Sequence, residues 1–113
     1  MPDPARGSIW LVDLGDPIGH ESGFRRPALV VSVDSFNAHG LVTVCPMTRT
    51  RSPYPTRVQI EPADAGLADV SYAQVEHLRT ISTGRLVERV GAVDVVVMAR
   101  VERVLRYLLG LAS

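Results

Sequence analysis

Residues 8–33 read SIWLVDLGDPIGHESGFRRPALVVSV, and they hold two β-rich apolar runs separated by a polar connection. Residues 8–14 are short and rich in strand formers, and residues 28–33 (ALVVSV) are a second such run. The thirteen residues between them, 15–27, are long for a connection in a compact domain, and loops of that length often carry function. They bring a histidine, a glutamate and two adjacent arginines to a proline at the mouth of the second strand.

Working outward, residues 41–47 (LVTVCPM) read as a third strand, and SFNAHG before them has room for one helical turn. Residues 48–55, with two arginines and two prolines, are expected as an exposed loop. Residues 56–61 (TRVQIE) alternate as a strand with one wet face. PADAGL reads as a turn, residues 70–78 as one further strand and residues 85–90 as a short one. Asp94 stands where an N-cap belongs, before VVVMARVERVLRYLLGL. There Val97, Val101, Val104, Leu105 and Leu108 share one helical face, and Gly110 is the expected stop. Residues 1–6, with two prolines, read as a loose tail, and 7–113 as a single domain. The fold class this predicts is mainly β with α, a small, strongly bent barrel or sheet carrying a C-terminal helix.

The 113 residues have a formal net charge of zero, which argues against a protein that coats nucleic acid non-specifically. The distribution is less even. Between Phe24 and Val58 lie Arg25, Arg26, Arg49, Arg51 and Arg57 against the single acid Asp34, so a local basic face is expected on a neutral body. All twelve basic residues are arginine, whose planar fork suits phosphate. Cys45 is the only cysteine, which rules out an intrachain disulfide and Cys/His metal clusters of usual spacing. No run is long and apolar enough for a signal peptide or a bilayer span, so the expected compartment is the cytoplasm.

P-loop, G-x-S-x-G, H-E-x-x-H and dinucleotide-binding patterns are absent from the sequence. The groups that remain are arginine, histidine, hydroxyls and carboxylates. They suit cleavage of RNA by its own 2′-hydroxyl, in which one group takes the 2′-OH proton and another protonates the departing 5′-oxygen. Cationic donors stabilise the charge on phosphorus oxygens. No metal or cofactor is needed, because the nucleophile belongs to the substrate.

The stretch RGSIWLVDLGDPIGHESGFRRPALVVS resembles the opening of the MazF/PemK/Kid toxins, and VCPMTRT, VEHLRTI and GRLVERVG continue the resemblance over residues 6–110. It implies an SH3-like, CcdB/Kid-type barrel with a C-terminal helix, assembled as a homodimer. It further implies a sequence-specific endoribonuclease that cuts single-stranded RNA to a 2′,3′-cyclic phosphate and a 5′-hydroxyl. Such a toxin inhibits translation and growth, and is held in check by a MazE-like antitoxin whose C-terminal tail occupies the RNA groove.

Carried over residue by residue, the catalytic arginine before the strand-opening proline is Arg26. The threonine of the P-x-T pattern is Thr48, after Pro46 and Met47, and the carboxylate ahead of R-T-I is Glu76. The G-H-E sequence of the Kid branch is matched by Gly19, His20 and Glu21. Gln74 stands where that branch has an arginine proposed as proton donor. Phe24 and Arg25 occupy positions where glycine and a small or polar residue are common, which makes them candidates for sequence preference. Arg26 and Thr48 are expected to stabilise charge on the scissile phosphate, and Glu76 to be either a general base or an ion-pair partner of Arg79. His20, Glu21, Phe24, Arg25, Arg49, Arg51 and Gln74 are auxiliary or RNA-binding candidates. His39 and His77 have no special claim, Cys45 reads as a small core residue, and Trp10 and Tyr107 as core or interface residues.

The competing reading is a binding toxin on the same fold, either of the gyrase-poisoning CcdB type or an idle relative that only binds antitoxin. The CcdB type depends on a tryptophan near its C-terminus, whereas the only tryptophan here is Trp10.

Overall fold

The structure, a computed structural model, describes residues 3–112. Strands β1 (Ser8–Asp13), β2 (Arg25–Val30) and β3 (Leu41–Thr48) form an antiparallel meander. They are joined by β4 (Arg57–Ile60), β5 (Ser71–Gln74), β6 (Arg79–Ser82) and β7 (Leu86–Ala92) in one sheet. Its order is β4-β5-β3-β2-β1-β7, with β6 also on β3. Two single-turn helices, α1 (Asp34–Asn37) and α2 (Pro62–Ala65), sit in connections, and α3 (Val95–Leu109) closes the described chain. The one-turn helix expected in SFNAHG is α1, and part of the expected turn PADAGL is the helical turn α2.

Because side chains alternate across a strand, β1, β2 and β3 feed apolar residues to two cores. Ile9, Leu29, Cys45 and Met47 join one with Met98 and Val101 of α3. Trp10, Val12, Ala28, Val30 and Val44 join the other with Ile81 and Leu86, and no helical residue belongs to it. Asp94 caps α3, its carboxylate accepting from the Val97 N–H at 2.9 Å, and Gly110 ends it in the left-handed conformation. Val97, Val101, Val104 and Leu105 pack on the core as the helical spacing predicts, but Leu108 is exposed and Met98 takes a buried place. The packing of α2 on β7 needs Gly91, since a Cβ there would collide with the Ala65 carbonyl.

Three expectations need correction. The second strand starts at Arg25, not at residue 28, because Asp13 and Val12 of β1 pair with Arg25 and Arg26. The stretch 70–78 is not one strand: it ends at Gln74, makes a 3-10 turn over Val75–His77, and resumes as the unexpected β6. Within the expected loose tail, Pro4 is buried and Arg6 is tied down. Its backbone N–H donates to Asp34, and its guanidinium to the Val31 carbonyl and to Glu102. Met1 and Pro2 of that tail lie outside the described residues.

Two features of β3 position the site. Near its start β3 pairs with β6, and at its end with β5, on the edge away from β2. Between Met47↔Ala73 and Val44↔Arg79, three steps along β3 face six along the opposing chain. The three surplus residues are the 3-10 turn, so Glu76 and His77 are thrown out of the ladder. On the other edge the β2–β3 pairing ends at Ala28↔Pro46, where proline has no N–H to continue it. Beyond that point the strands part, leaving Arg26 and Thr48 on the two banks of an open seam.

Candidate active site

Two cavities meet at Arg26. The first, of about 390 Å³, lies in the seam, and Arg25, Arg26, Thr48, Arg49 and Asp69 are among its lining residues. The second, of about 540 Å³, is lined by His20, Glu21, Ser22, Tyr54, Arg57, Gln74, Glu76 and His77. Arg26 is the one residue common to both linings.

Arg26 stands at the base of the long loop, two residues into β2. Its Nε donates to the Gly23 carbonyl at 3.1 Å, which fixes the root of the guanidinium and leaves its terminal nitrogens without a protein partner among the described residues. The loop is closed at its neck by two backbone bonds, Leu14 N to Phe24 O at 2.9 Å and Phe24 N to Gly15 O at 2.6 Å. Closing it this way puts Phe24 at φ +59°, a left-handed conformation that a bulky residue adopts at a cost. The residue is 61% exposed.

Across the seam, Thr48 Oγ1 accepts from the Thr50 N–H at 3.2 Å. That bond uses a lone pair and leaves the hydroxyl proton free to donate to a phosphate oxygen. Arg49 pairs with Asp69 at 3.0 Å on the surface, while Arg25 lies 4.0 Å from Asp13, a contact worth little in solvent.

In the second cavity, Glu76 finds Arg57 and not Arg79 as its partner. Arg57 Nε donates to Glu76 Oε2 at 3.0 Å, and the other oxygen, Oε1, is buried without a partner. Burial alone would raise the Glu76 pKa. Its own backbone N–H and the Arg57 and Thr56 side chains outweigh that and hold it below the usual carboxylate range. Gln74 is buried and accepts from the Ser22 hydroxyl at 3.2 Å, so it supports the site from below. Glu21 is occupied within the loop, accepting from the Ile18 N–H at 2.7 Å. His20 is exposed on the rim, and Phe24 and Arg51 line neither cavity.

The structure adds Arg57, His77, Ser22 and Tyr54 to the residues expected from sequence. In the sequence Arg57 is signalled only as one arginine of the expected basic face, on the wet side of TRVQIE. Burial lowers the His77 pKa; nearby Glu76 works against this, and Arg57 and Arg26 reinforce it. Among the described residues, no group of three or more His, Cys, Asp or Glu is placed to hold a metal ion. No helix among them is long and apolar enough to cross a membrane. Trp10 is buried, its indole N–H donating to Ser8 Oγ at 2.9 Å.

The parting of two strands opens a cleft centred on an arginine whose terminal nitrogens are available to an anionic group. Comparison with known proteins gives that cleft a family. The PemK-like, MazF-like toxins of type II toxin-antitoxin systems match residues 5–109. Endoribonuclease MazF9 of Mycobacterium tuberculosis is 37% identical over 96% of this chain and 98% of its own. The crystal structure of MazF from Deinococcus radiodurans superposes with a TM-score of 0.83 at 33% identity, over 96% of this chain and 98% of that one. An endoribonuclease from a mycobacterial species, in complex with its cognate antitoxin, superposes at 0.81 with 29% identity, covering 97% and 98%. The chain belongs to the PemK-like, MazF-like toxin family and is a MazF-type endoribonuclease toxin.

Proposed function

We propose that the chain cuts single-stranded RNA at a short sequence, with the RNA's own 2′-hydroxyl as nucleophile and without a metal. The products are a 2′,3′-cyclic phosphate and a 5′-hydroxyl. The observation that carries the reading is Arg26 at the junction of two cavities, opposite the free hydroxyl proton of Thr48. A phosphate at that junction meets the guanidinium fork from one bank and Thr48 from the other, donors already in place before charge develops. Glu76 serves as the anion that orients Arg57, bringing a second guanidinium to the cleft. Arg25, Arg49 and Arg51 contact the backbone on either side, His20 lies at the rim, and Phe24 offers a face on which a base can stack.

The protein acts in the cytoplasm as a homodimer, a reading supported by the exposed apolar residues Tyr107, Leu109 and Leu111 at the end of α3. Its partner is an antitoxin whose tail fills the same cleft, supported by the antitoxin complexes of the similar mycobacterial and Deinococcus proteins.

The test is incubation of the purified protein with single-stranded RNA in excess chelator, followed by analysis of the ends. Cyclic-phosphate and 5′-hydroxyl termini are expected. Intact RNA would leave only an antitoxin-binding role, and 5′-phosphate ends would sink the mechanism.

A further inference from the structure

We propose that His77 is the catalytic base that takes the proton of the attacking 2′-hydroxyl, with Ser22 as its positioning residue; this rests on the RNA-cleaving reading above. His77 ends the 3-10 turn formed by the three surplus residues, and that turn is tied to the neighbouring segment of chain at its start and closed on itself at its end. The Val75 N–H donates to Thr56 O at 3.1 Å and the Leu78 N–H to Val75 O at 3.0 Å. The imidazole is thereby set on the wall of the larger cavity, which Arg26 also lines.

Proton counting assigns the ring's tautomer. Ser22 is buried, and its Oγ lies 3.2 Å from Gln74 Oε1 and 2.8 Å from His77 Nδ1. A hydroxyl has one proton to give, and the amide oxygen only accepts. The arrangement that makes both contacts hydrogen bonds sends the Ser22 proton to Gln74 and has Ser22 accept from Nδ1–H. That leaves the lone pair on Nε2, the nitrogen turned away from Ser22, to receive a proton in the cavity.

The charges around the ring suit a base. Arg57 on β4 and Arg26 on β2 oppose its protonation, Glu76 on the same turn favours it, and His20 and Glu21 face it from the loop. With burial, the largest influence, the balance lowers the His77 pKa from its ordinary value, which favours the neutral, proton-accepting ring. Glu76, the other candidate, has one oxygen on Arg57 and the other sealed from solvent. In the step itself the 2′-oxygen bonds to phosphorus as its proton passes to Nε2, and the bond from phosphorus to the 5′-oxygen breaks. The departing 5′-oxygen takes a proton from water, and the hydroxide so formed recovers the proton held by His77.

The experiment maps cut sites of the wild-type protein on a long single-stranded transcript in chelator, then follows a short oligonucleotide spanning one site. Wild-type kcat/KM should rise tenfold per pH unit on its acid limb and level off at an inflection below pH 6.5. His77→Gln should cut roughly 10²- to 10⁴-fold more slowly and lose that inflection. It should still bind an oligonucleotide carrying a 2′-deoxy sugar at the cut site as the wild type does. Imidazole added to His77→Ala should restore part of the rate. A His77→Gln protein that cuts within about tenfold of wild type, or that keeps the inflection, overturns the assignment. So do ¹⁵N shifts that put the neutral ring's proton on Nε2. Failure of the underlying reading looks different: the wild type itself then leaves RNA intact or makes 5′-phosphate ends, and the assignment falls with it.

Discussion

Arg57 reaches from β4 to the 3-10 turn, giving its Nε proton to Glu76 Oε2 at 3.0 Å while its guanidinium carbon lies 5.3 Å from the Tyr54 ring centre. The two side chains are only 13% and 23% exposed, so this is not a solvated surface pair. It ties the surplus turn to the sheet, and with it the wall on which both Glu76 and His77 stand.

Arg57→Ala should destabilise the protein by about 1.5–3 kcal/mol, since it removes a charged hydrogen bond and strands a carboxylate whose other oxygen is already unpartnered. Glu76→Gln, which keeps an acceptor for Arg57, should cost less. Urea unfolding at pH 7 measures both.

The same carboxyl should make stability fall in acid. Its folded pKa lies below the ordinary 4.5, so the unfolded chain binds the proton more readily. The contribution is present above pH 4.5 and is lost as pH drops through the lower folded value. A plot of urea midpoint against pH should be flatter in that window for Glu76→Gln than for the wild type.

Arg26 is held by one bond to the Gly23 carbonyl, so Arg26→Ala should leave stability within about 0.5 kcal/mol of wild type. Cleavage should nevertheless fall by roughly 10²- to 10³-fold in kcat. Arg26→Lys should not restore it, because an ammonium lacks the planar fork. Thr48→Ser should retain most activity and Thr48→Val little, since only the former keeps the donor. Single-turnover rates with parallel melting curves decide each case.

Phe24→Gly should stabilise the fold by about 1 kcal/mol through relief of the left-handed backbone. The variant should also lose discrimination among cut sites, as the exposed ring is the largest apolar surface on the loop neck. Thermal melting and sequencing of cleaved RNA ends test the two halves separately.

Cys45 should resist alkylation in the folded protein. Burial, and to a smaller degree the Glu76 charge, push its thiol up to about 12, and the side chain is fully enclosed. Iodoacetamide at pH 8 should label it only after urea is added, and native labelling at the rate of a free thiol would contradict the packing described.

Much of the fold was legible because its signals are local. The strand-forming runs of β1 and β3, the alternation of β4, and the Asp94 and Gly110 boundaries of α3 need no distant partner. What sequence missed depends on pairing. RRP reads as loop because Asp13 and Val12 lie on another strand, and RTIS becomes β6 only by taking the free edge of β3. The site divides the same way. Arg26, Thr48 and Glu76 sit beside recognisable motifs, whereas Ser22, Arg57 and His77 converge through a register surplus that local pattern does not encode.

The two backbone bonds at the loop neck have a practical meaning for engineering. Residues 16–23 are spliced into the protein between a fixed entrance and a fixed exit, while Arg26 is anchored downstream of both. The outer part of this segment is therefore the exchangeable piece: a library rewriting residues 16–19, with His20 to Gly23 retained, would vary the rim of the cleft while keeping in place the loop groups that share the cavity with His77.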